Sequence, residues 1–160
     1  MIDLRTTAQI LLGTLALGAC SSMRLRSPIA PVAGPPSTFT QTTSDVRSTR
    51  VIDVRDGLGK PAAFRAASEL LVQRFAVDVS DSSAGFLMTR WETGVTREGT
   101  PELRYRTRMI VRFLGDDWKQ VTVRAEANWK HGTDEWDVGY DAKALDDVVS
   151  ELKTKIGKIG

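Results

Sequence analysis

Two stretches of the chain decide its fold: LRYRTRMIVRF, Leu103–Phe113, and QVTVRAEANWK, Gln120–Lys130. In both, side chains alternate with a period of two, as they do along a β-strand whose successive residues face opposite sides of a sheet. A short turn at Gly115-Asp116-Asp117 separates them. The pattern therefore predicts an antiparallel hairpin with one face packed on a core and the other in contact with water.

The packed face is predicted to carry the larger apolar residues of both strands. These are Leu103, Tyr105, Thr107, Met109, Val111 and Phe113 of the first strand, and Val121, Val123, Ala125, Ala127 and Trp129 of the second. By the same alternation, Trp91 belongs to the packed face of an earlier strand. Trp118 and Trp136 fall at turns, where we expect partial exposure and where a tryptophan can anchor a partner.

The wet face of the first strand carries a row of arginines, with i and i+2 neighbours about 7 Å apart. The row is Arg104, Arg106, Arg108 and Arg112. One interpretation is a solvated face with cross-strand ion pairs to Glu126 or Glu92. The other is a docking face for an acidic protein surface or for lipid phosphates, which guanidinium groups bind in forked geometry. These four arginines and Trp136 are the predicted partner-binding residues.

The remaining pattern predicts an α+β domain. Strands are expected at Val51–Val54, Val77–Ser80 and Phe86–Glu92, loops at Gly94–Pro101 and His131–Tyr140, and helices at Pro61–Phe75 and from the N-cap Asp141 to Gly157. With the hairpin, the order is β-α-β-β-β-β-α. Two helices with one apolar stripe each can cover one face of an antiparallel sheet, which gives a two-layer, helix-grip-like architecture.

The N-terminal segment indicates where the protein works. Residues 1–19 combine Arg5, a short apolar stretch and the small residues Gly18-Ala19 before Cys20, the only cysteine in the chain. This layout resembles a bacterial lipoprotein signal peptide, and its apolar stretch is shorter than the roughly 20 residues of a membrane-spanning helix. The resemblance implies cleavage before Cys20, covalent lipid including palmitate-type acyl chains on that cysteine, and a periplasm-facing position at the outer membrane.

Residues 20–49 are rich in proline, serine and threonine and are predicted to form a disordered tether, either a passive spacer or a partner-binding arm. The folded domain is predicted to span residues 50–160. The full chain has 22 Lys and Arg residues against 20 Asp and Glu, a net charge of +2, which does not predict a nucleic-acid partner.

Residues 50–157 also resemble a known family. A strand and helix, the segment Gly85-Phe86-Leu87-Met88-Thr89-Arg90-Trp91, the arginine-rich hairpin, a tryptophan in the next loop and a closing helix occur in that order. This set is similar to the helix-grip domains of BamC-type lipoproteins, accessory members of the outer-membrane β-barrel assembly machinery. Typical members carry two such domains and a longer arm, so the domain type transfers better than the assembly role.

No catalytic chemistry is predicted. His131 is the only histidine, and its neighbours Asp134, Glu135 and Asp137 match no Zn²⁺ or Ca²⁺ spacing. We therefore expect no metal and no cofactor apart from the lipid on Cys20. The expected function is a non-enzymatic, lipid-anchored accessory subunit of an outer-membrane protein complex, in contact with the membrane and other envelope proteins. The alternatives are a periplasmic lipid or small-ligand carrier and a regulator of a peptidoglycan synthase.

Overall fold

A computed structural model describes residues 34–43, 48–95, 101–130 and 135–158 of the chain. All of them lie in one compact unit, Val32–Gly160. Residues 1–19, Cys20 and His131 lie outside the described residues. The strands are β1 (Phe39–Gln41), β2 (Thr49–Asp53), β3 (Val77–Asp81), β4 (Phe86–Thr89), β5 (Glu92–Val95), β6 (Pro101–Leu114), β7 (Gln120–Lys130) and β8 (Trp136–Asp141). The helices are α1 (Lys60–Arg74) and α2 (Ala142–Ile156).

These strands form one sheet in which every pair is antiparallel. The predicted hairpin of β6 and β7 is confirmed and lies at its centre. β4 and β5 pair, one after the other, with the edge of β6 that faces away from β7. β2 and β8 pair in the same way with the edge of β7 that faces away from β6. β3 continues the sheet beyond β4, and β1 continues it beyond β8.

The register of β6 against β7 gives the sheet two distinct faces. Directly opposed residues of an antiparallel pair lie on the same face. Met109 opposes Ala125, Val111 opposes Val123, and Phe113 opposes Val121. All six are buried, and we call their side of the sheet the inner face. The other side, which carries the opposed residues Arg108 and Glu126, is the outer face.

Both helices cover the inner face. Each contributes one stripe of buried residues to the same core as β6 and β7: Ala63, Phe64, Ala67, Leu70 and Leu71 from α1, and Leu145, Val148, Val149, Leu152 and Ile156 from α2. The predicted N-cap of α2 is confirmed, since the Asp141 carboxylate accepts a hydrogen bond from the Ala144 backbone N–H. The protein is thus an α+β domain with two helices on an antiparallel sheet, as its sequence predicts.

The structure has more strands than the five predicted. The prediction of a disordered tether through residue 49 is wrong at β1, which pairs with β8. Phe39 explains the pairing: its ring packs edge-on against Tyr105, with centroids 6.2 Å apart, and fills the space left by the missing side chain of Gly139. This aromatic contact, together with the hydrogen bonds that Thr38 makes with Asp141 and Ala142, attaches β1 to the sheet.

The predicted loops at Gly94–Pro101 and His131–Tyr140 are also partly wrong. Trp136–Asp141 forms β8, and Glu92–Val95 forms β5. Both strands contain glycine, and β8 also contains two aspartates, residues with low strand propensity. Pairing with the long central strands outweighs that weak local preference.

Trp118 differs most from its prediction as a partly exposed turn residue. Only 7% of it is exposed, and its ring stacks on Phe113 with centroids 4.7 Å apart. Its backbone has a left-handed φ of 54°, and its ring packs over the core, where it covers Gly85. The turn chemistry, rather than the hydrophobic pattern, decides its burial.

We expect Gly85→Ala to destabilise the domain strongly, because Gly85 has φ +62° and a Cβ there would lie 2.7 Å from the Trp118 ring and 2.9 Å from Phe113. Backbone strain of about 1–2 kcal/mol and overpacking of about 1–3 kcal/mol add together. Gly57→Ala is the matched control, since Gly57 has φ +79° but nothing within 4 Å of the added Cβ. Equal losses in chemical denaturation would contradict the packing described for Trp118.

Candidate functional site

The candidate site is the outer face, on the side of the sheet away from both helices. Its centre carries four arginines and one acidic residue from β6 and β7: Arg106, Arg108, Arg112, Arg124 and Glu126. The sequence predicted three of these arginines as a partner-binding row. The fourth, Arg124, comes from the neighbouring strand and was not among the predicted site residues.

Arg106 is held by two tryptophans, Trp91 from the link between β4 and β5 and Trp136 from β8. Its guanidinium carbon lies 4.7 Å from the ring centroid of Trp91 and 4.5 Å from that of Trp136. With the Asn128 amide nitrogen donating to the Ala127 carbonyl, the amide oxygen accepts from Arg106 Nη2 at 3.2 Å. Arg106 Nε is buried and has no hydrogen-bond partner among the described residues. Cation–π contacts of this kind contribute about 0.5–2 kcal/mol each.

Arg108 extends the same arrangement. Its guanidinium lies 4.6 Å from the Trp91 centroid, so that one ring contacts two arginines. Arg108 also donates from Nε and Nη2 to Glu126 Oε2, at 2.7 and 2.6 Å. Glu126 accepts in addition from Arg124, at 2.9 Å. We call Trp91, Arg106, Arg108 and Trp136 the arginine–tryptophan cluster.

Trp91 reaches this cluster because the strand edge contains a bulge. Met88 opposes Ile110, whereas Glu92 opposes Thr107. Four residue steps from β4 into β5 are therefore matched by only three steps along β6. One extra residue reverses the faces that follow it. The prediction that Trp91 belongs to the core is therefore wrong. Glu92 opposes Thr107 rather than an arginine, and among the described residues its carboxylate accepts a hydrogen bond from the Ala76 backbone N–H.

Arg104 lies apart from the other predicted arginines. Its guanidinium carbon is 5.1 Å from the Trp129 ring centroid, and its Nε is 3.3 Å from Glu102. The register of β5 against β6 changes between Thr93 and Gly94, which interrupts the alternation around residues 103–105. The same irregularity leaves Leu103 75% exposed, so the prediction that it belongs to the packed face is wrong.

The other two predicted site residues occupy simple positions. Arg112 is exposed and has no ion-pair partner among the residues that the structure describes. Its cross-strand neighbours are Phe86 and Thr122. Trp136 is half-buried, as expected, but it lies in β8 rather than in a turn, opposite Lys130.

A buried polar group fixes the opposite end of the sheet. The Asp141 carboxylate is 8% exposed and accepts hydrogen bonds from the Tyr105 hydroxyl at 2.7 Å and from Thr38 at 2.8 Å. It joins the residue before β1 to β6 and to the start of α2. Burial and the adjacent carboxylate raise the pKa of Tyr105 well above its ordinary value of 10. The sequence suggested only the capping role of Asp141, because the distant partners are set by tertiary structure.

A cleft of about 650 Å³ opens beside the N-terminus of α1. Lys60, Phe64, Arg65, Ser82 and Trp118 are among its lining residues, and it faces solvent broadly. Phe64 and Trp118 also belong to the buried apolar cluster between helices and sheet, so the cleft lies at the edge of that cluster.

The described residues contain no group of three or more His, Cys, Asp or Glu side chains placed to hold a metal ion. Among the same residues, neither helix has the length and apolar character needed to cross a membrane. Comparison of the sequence with protein-family models and with curated proteins gives no match.

We expect Trp129→Ala to destabilise the domain by about 3–5 kcal/mol, because Trp129 is 2% exposed and packs with Tyr105 and Phe39. Trp91→Ala is expected to cost about 1–2 kcal/mol, the value of two partly exposed cation–π contacts. Chemical denaturation of both variants checks the order. A larger loss for Trp91→Ala would place that ring in the core and contradict the bulge.

The raised pKa of Tyr105 predicts alkaline sensitivity. An unfolded tyrosine ionises near pH 10 while Tyr105 stays neutral to higher pH in the folded domain, so its stabilising contribution is complete below about pH 10 and falls above it. The free energies of unfolding of wild type and Tyr105→Phe should therefore begin to converge as the pH rises through about 10, the unperturbed pKa, and should continue to converge above it. A difference that stays constant over this range would show that Tyr105 is not held neutral by Asp141.

Proposed function

We propose that this protein is a non-enzymatic accessory subunit of an outer-membrane protein complex, anchored by lipid on Cys20 and facing the periplasm. We assign its domain to the helix-grip type of BamC-like lipoproteins, which makes the β-barrel assembly machinery the candidate complex. The observation that carries the docking role is the outer face, where arginines of β6 and β7, Trp136 of β8 and Trp91 from the link between β4 and β5 form a surface on the side away from the helices.

The chemistry of this face suits protein docking. Tryptophan and arginine are the residues most enriched where single side chains dominate binding energy. Trp91 and Trp136 restrict the guanidinium of Arg106 before any partner arrives, which lowers the ordering cost of association. At the centre of the outer face, four arginines of β6 and β7 lie with one glutamate, which pairs with Arg108 and Arg124, so the surface attracts acidic partners and steers their approach.

The packed interior supports docking over carriage of a lipid or small ligand. A carrier needs an enclosed apolar cavity that covers most of its ligand. Here the inner face and both helices contribute their apolar side chains to one buried cluster, with Met109, Leu70 and Leu152 fully buried. The cleft beside α1 is open to solvent and partly polar.

The lipid anchor is tested by Cys20→Ser. We expect the variant to lose membrane attachment while its domain stays folded, because stable anchoring requires the acyl chains and neither described helix crosses a membrane. Membrane flotation after a high-salt wash, with circular dichroism as the folding control, measures both properties. Flotation of the serine variant at wild-type levels would contradict anchoring through Cys20.

The docking role is tested by blocking one layer at a time. Because Cys20 is the only cysteine and is proposed to be lipidated, Thr122→Cys on the outer face or Lys155→Cys on α2 supplies a unique thiol for a polyethylene glycol maleimide. We expect modified Thr122→Cys to lose co-purification with solubilised envelope complexes, and modified Lys155→Cys to retain it. The opposite pattern would assign docking to the helix layer.

A further inference from the structure

We infer that the outer face binds an acidic, aliphatic segment of a protein partner, with Arg112 contacting a carboxylate and Val51 and Val138 supplying apolar contacts. This inference rests on the proposed docking function and names the chemistry of the partner. It also divides the arginines into two groups, those that contact the partner and those that hold the surface in shape.

Arg112 is the arginine that remains available for a carboxylate. Arg108 directs Nε and Nη2 to Glu126, and Arg124 pairs with the same carboxylate. Arg106 is covered by the rings of Trp91 and Trp136, and its Nε is buried. Arg112 is exposed, with no ion-pair partner among the described residues, so its guanidinium fork is free to bind one carboxylate in two-point geometry. Arg106 and Arg108 are positioning residues.

Exposed aliphatic side chains accompany Arg112 on the same face. Val51 opposes Thr122, which in turn opposes Arg112, and Val51 is 54% exposed. Val138 opposes Asn128, which in turn opposes Arg106, and it is 63% exposed. Arg112 lies six residue steps along β6 from Arg106, a distance of about 20 Å at the rise of a strand. A surface of this length fits a protein interface of standard size.

A protein segment fits this surface better than the other occupants considered. Phosphate binding favours several converging guanidinium forks, and here the forks of Arg106 and Arg108 are already engaged. A second copy of the chain would bring the arginine-rich face against itself in a two-fold interface, where like charges repel. A separate, acidic partner complements both the charge and the exposed valines.

The test places a photo-crosslinking amino acid in the full lipidated chain, within the bacterial envelope, at Val138 or at Val72. Val72 is the matched control because it is also 63% exposed but lies on α1. We expect a protein adduct from position 138 and none from position 72, with Asp or Glu in the crosslinked peptide. Arg112→Glu should lower the adduct yield about tenfold, while Arg65→Glu, on an exposed position of α1, should leave it unchanged.

An exchange of charges between Arg112 and the partner tests whether Arg112 contacts a partner carboxylate. Reversal of the carboxylates in the sequenced partner peptide to lysine should restore the adduct with Arg112→Glu, and circular dichroism should show that the variant is folded. Arg112→Gln, which removes the charge without reversing it, should give an intermediate yield. Failure of the exchange to restore the adduct, or equal yields for Arg112→Glu and Arg65→Glu, would overturn the assignment of Arg112.

The remaining outcomes separate this inference from the proposed function. An adduct with lipid at position 138, or Arg112-dependent binding of the Cys20→Ser chain to phosphatidylglycerol vesicles, would identify lipid phosphate as the ligand and overturn the protein partner. Adducts at Val72 alone would leave the docking function standing and move it to the helix layer. Absence of adducts at both positions, together with absence of co-purifying envelope proteins, would overturn both proposals.

Discussion

The register of β6 against β7 is the constraint on which the rest of the structure depends. Each opposed pair of these strands lies on one face, so the register places Met109, Val111 and Phe113 under the helices. The same register places Arg108 beside Glu126 on the opposite side. A slip of one residue would exchange the two faces, bringing arginines into the core and apolar residues to the surface. The core therefore fixes the position of the candidate site.

Two departures from ideal strands then shape the outer face. A one-residue bulge after Met88 turns Trp91 from the core side to the arginine side, and a second irregularity near Gly94 separates Arg104 from the row. Bulges commonly redirect side chains at functional edges of sheets. Here they convert a line of repelling guanidinium groups into a cluster in which aromatic rings and Glu126 offset the repulsion between positive charges.

The sequence predicts much of this architecture, because hydrophobic periodicity is strong wherever one face is buried. The hairpin and the burial of Trp129 follow from spacing, and both helices and the cap at Asp141 follow from spacing together with residue type. The alternation also correctly places Arg106, Arg108 and Arg112 together on the outer face. Trp91, Trp118 and Phe39 depend on a bulge, a left-handed turn and a contact with Tyr105, none of which leaves a periodic pattern in the sequence. The short strands β1, β5 and β8 are missed because their partners, rather than their own residues, stabilise them.

The central claim is that tryptophans hold the outer-face arginines in fixed positions, and a double-mutant cycle between Trp91 and Arg106 tests it most directly. Free energies of unfolding are measured for wild type, Trp91→Leu, Arg106→Gln and the double variant. The contact of 4.7 Å predicts a coupling energy of about 0.5–1 kcal/mol. If the change in the double variant equals the sum of the two single changes to within about 0.3 kcal/mol, the ring and the guanidinium do not interact. That result would contradict the preformed docking surface.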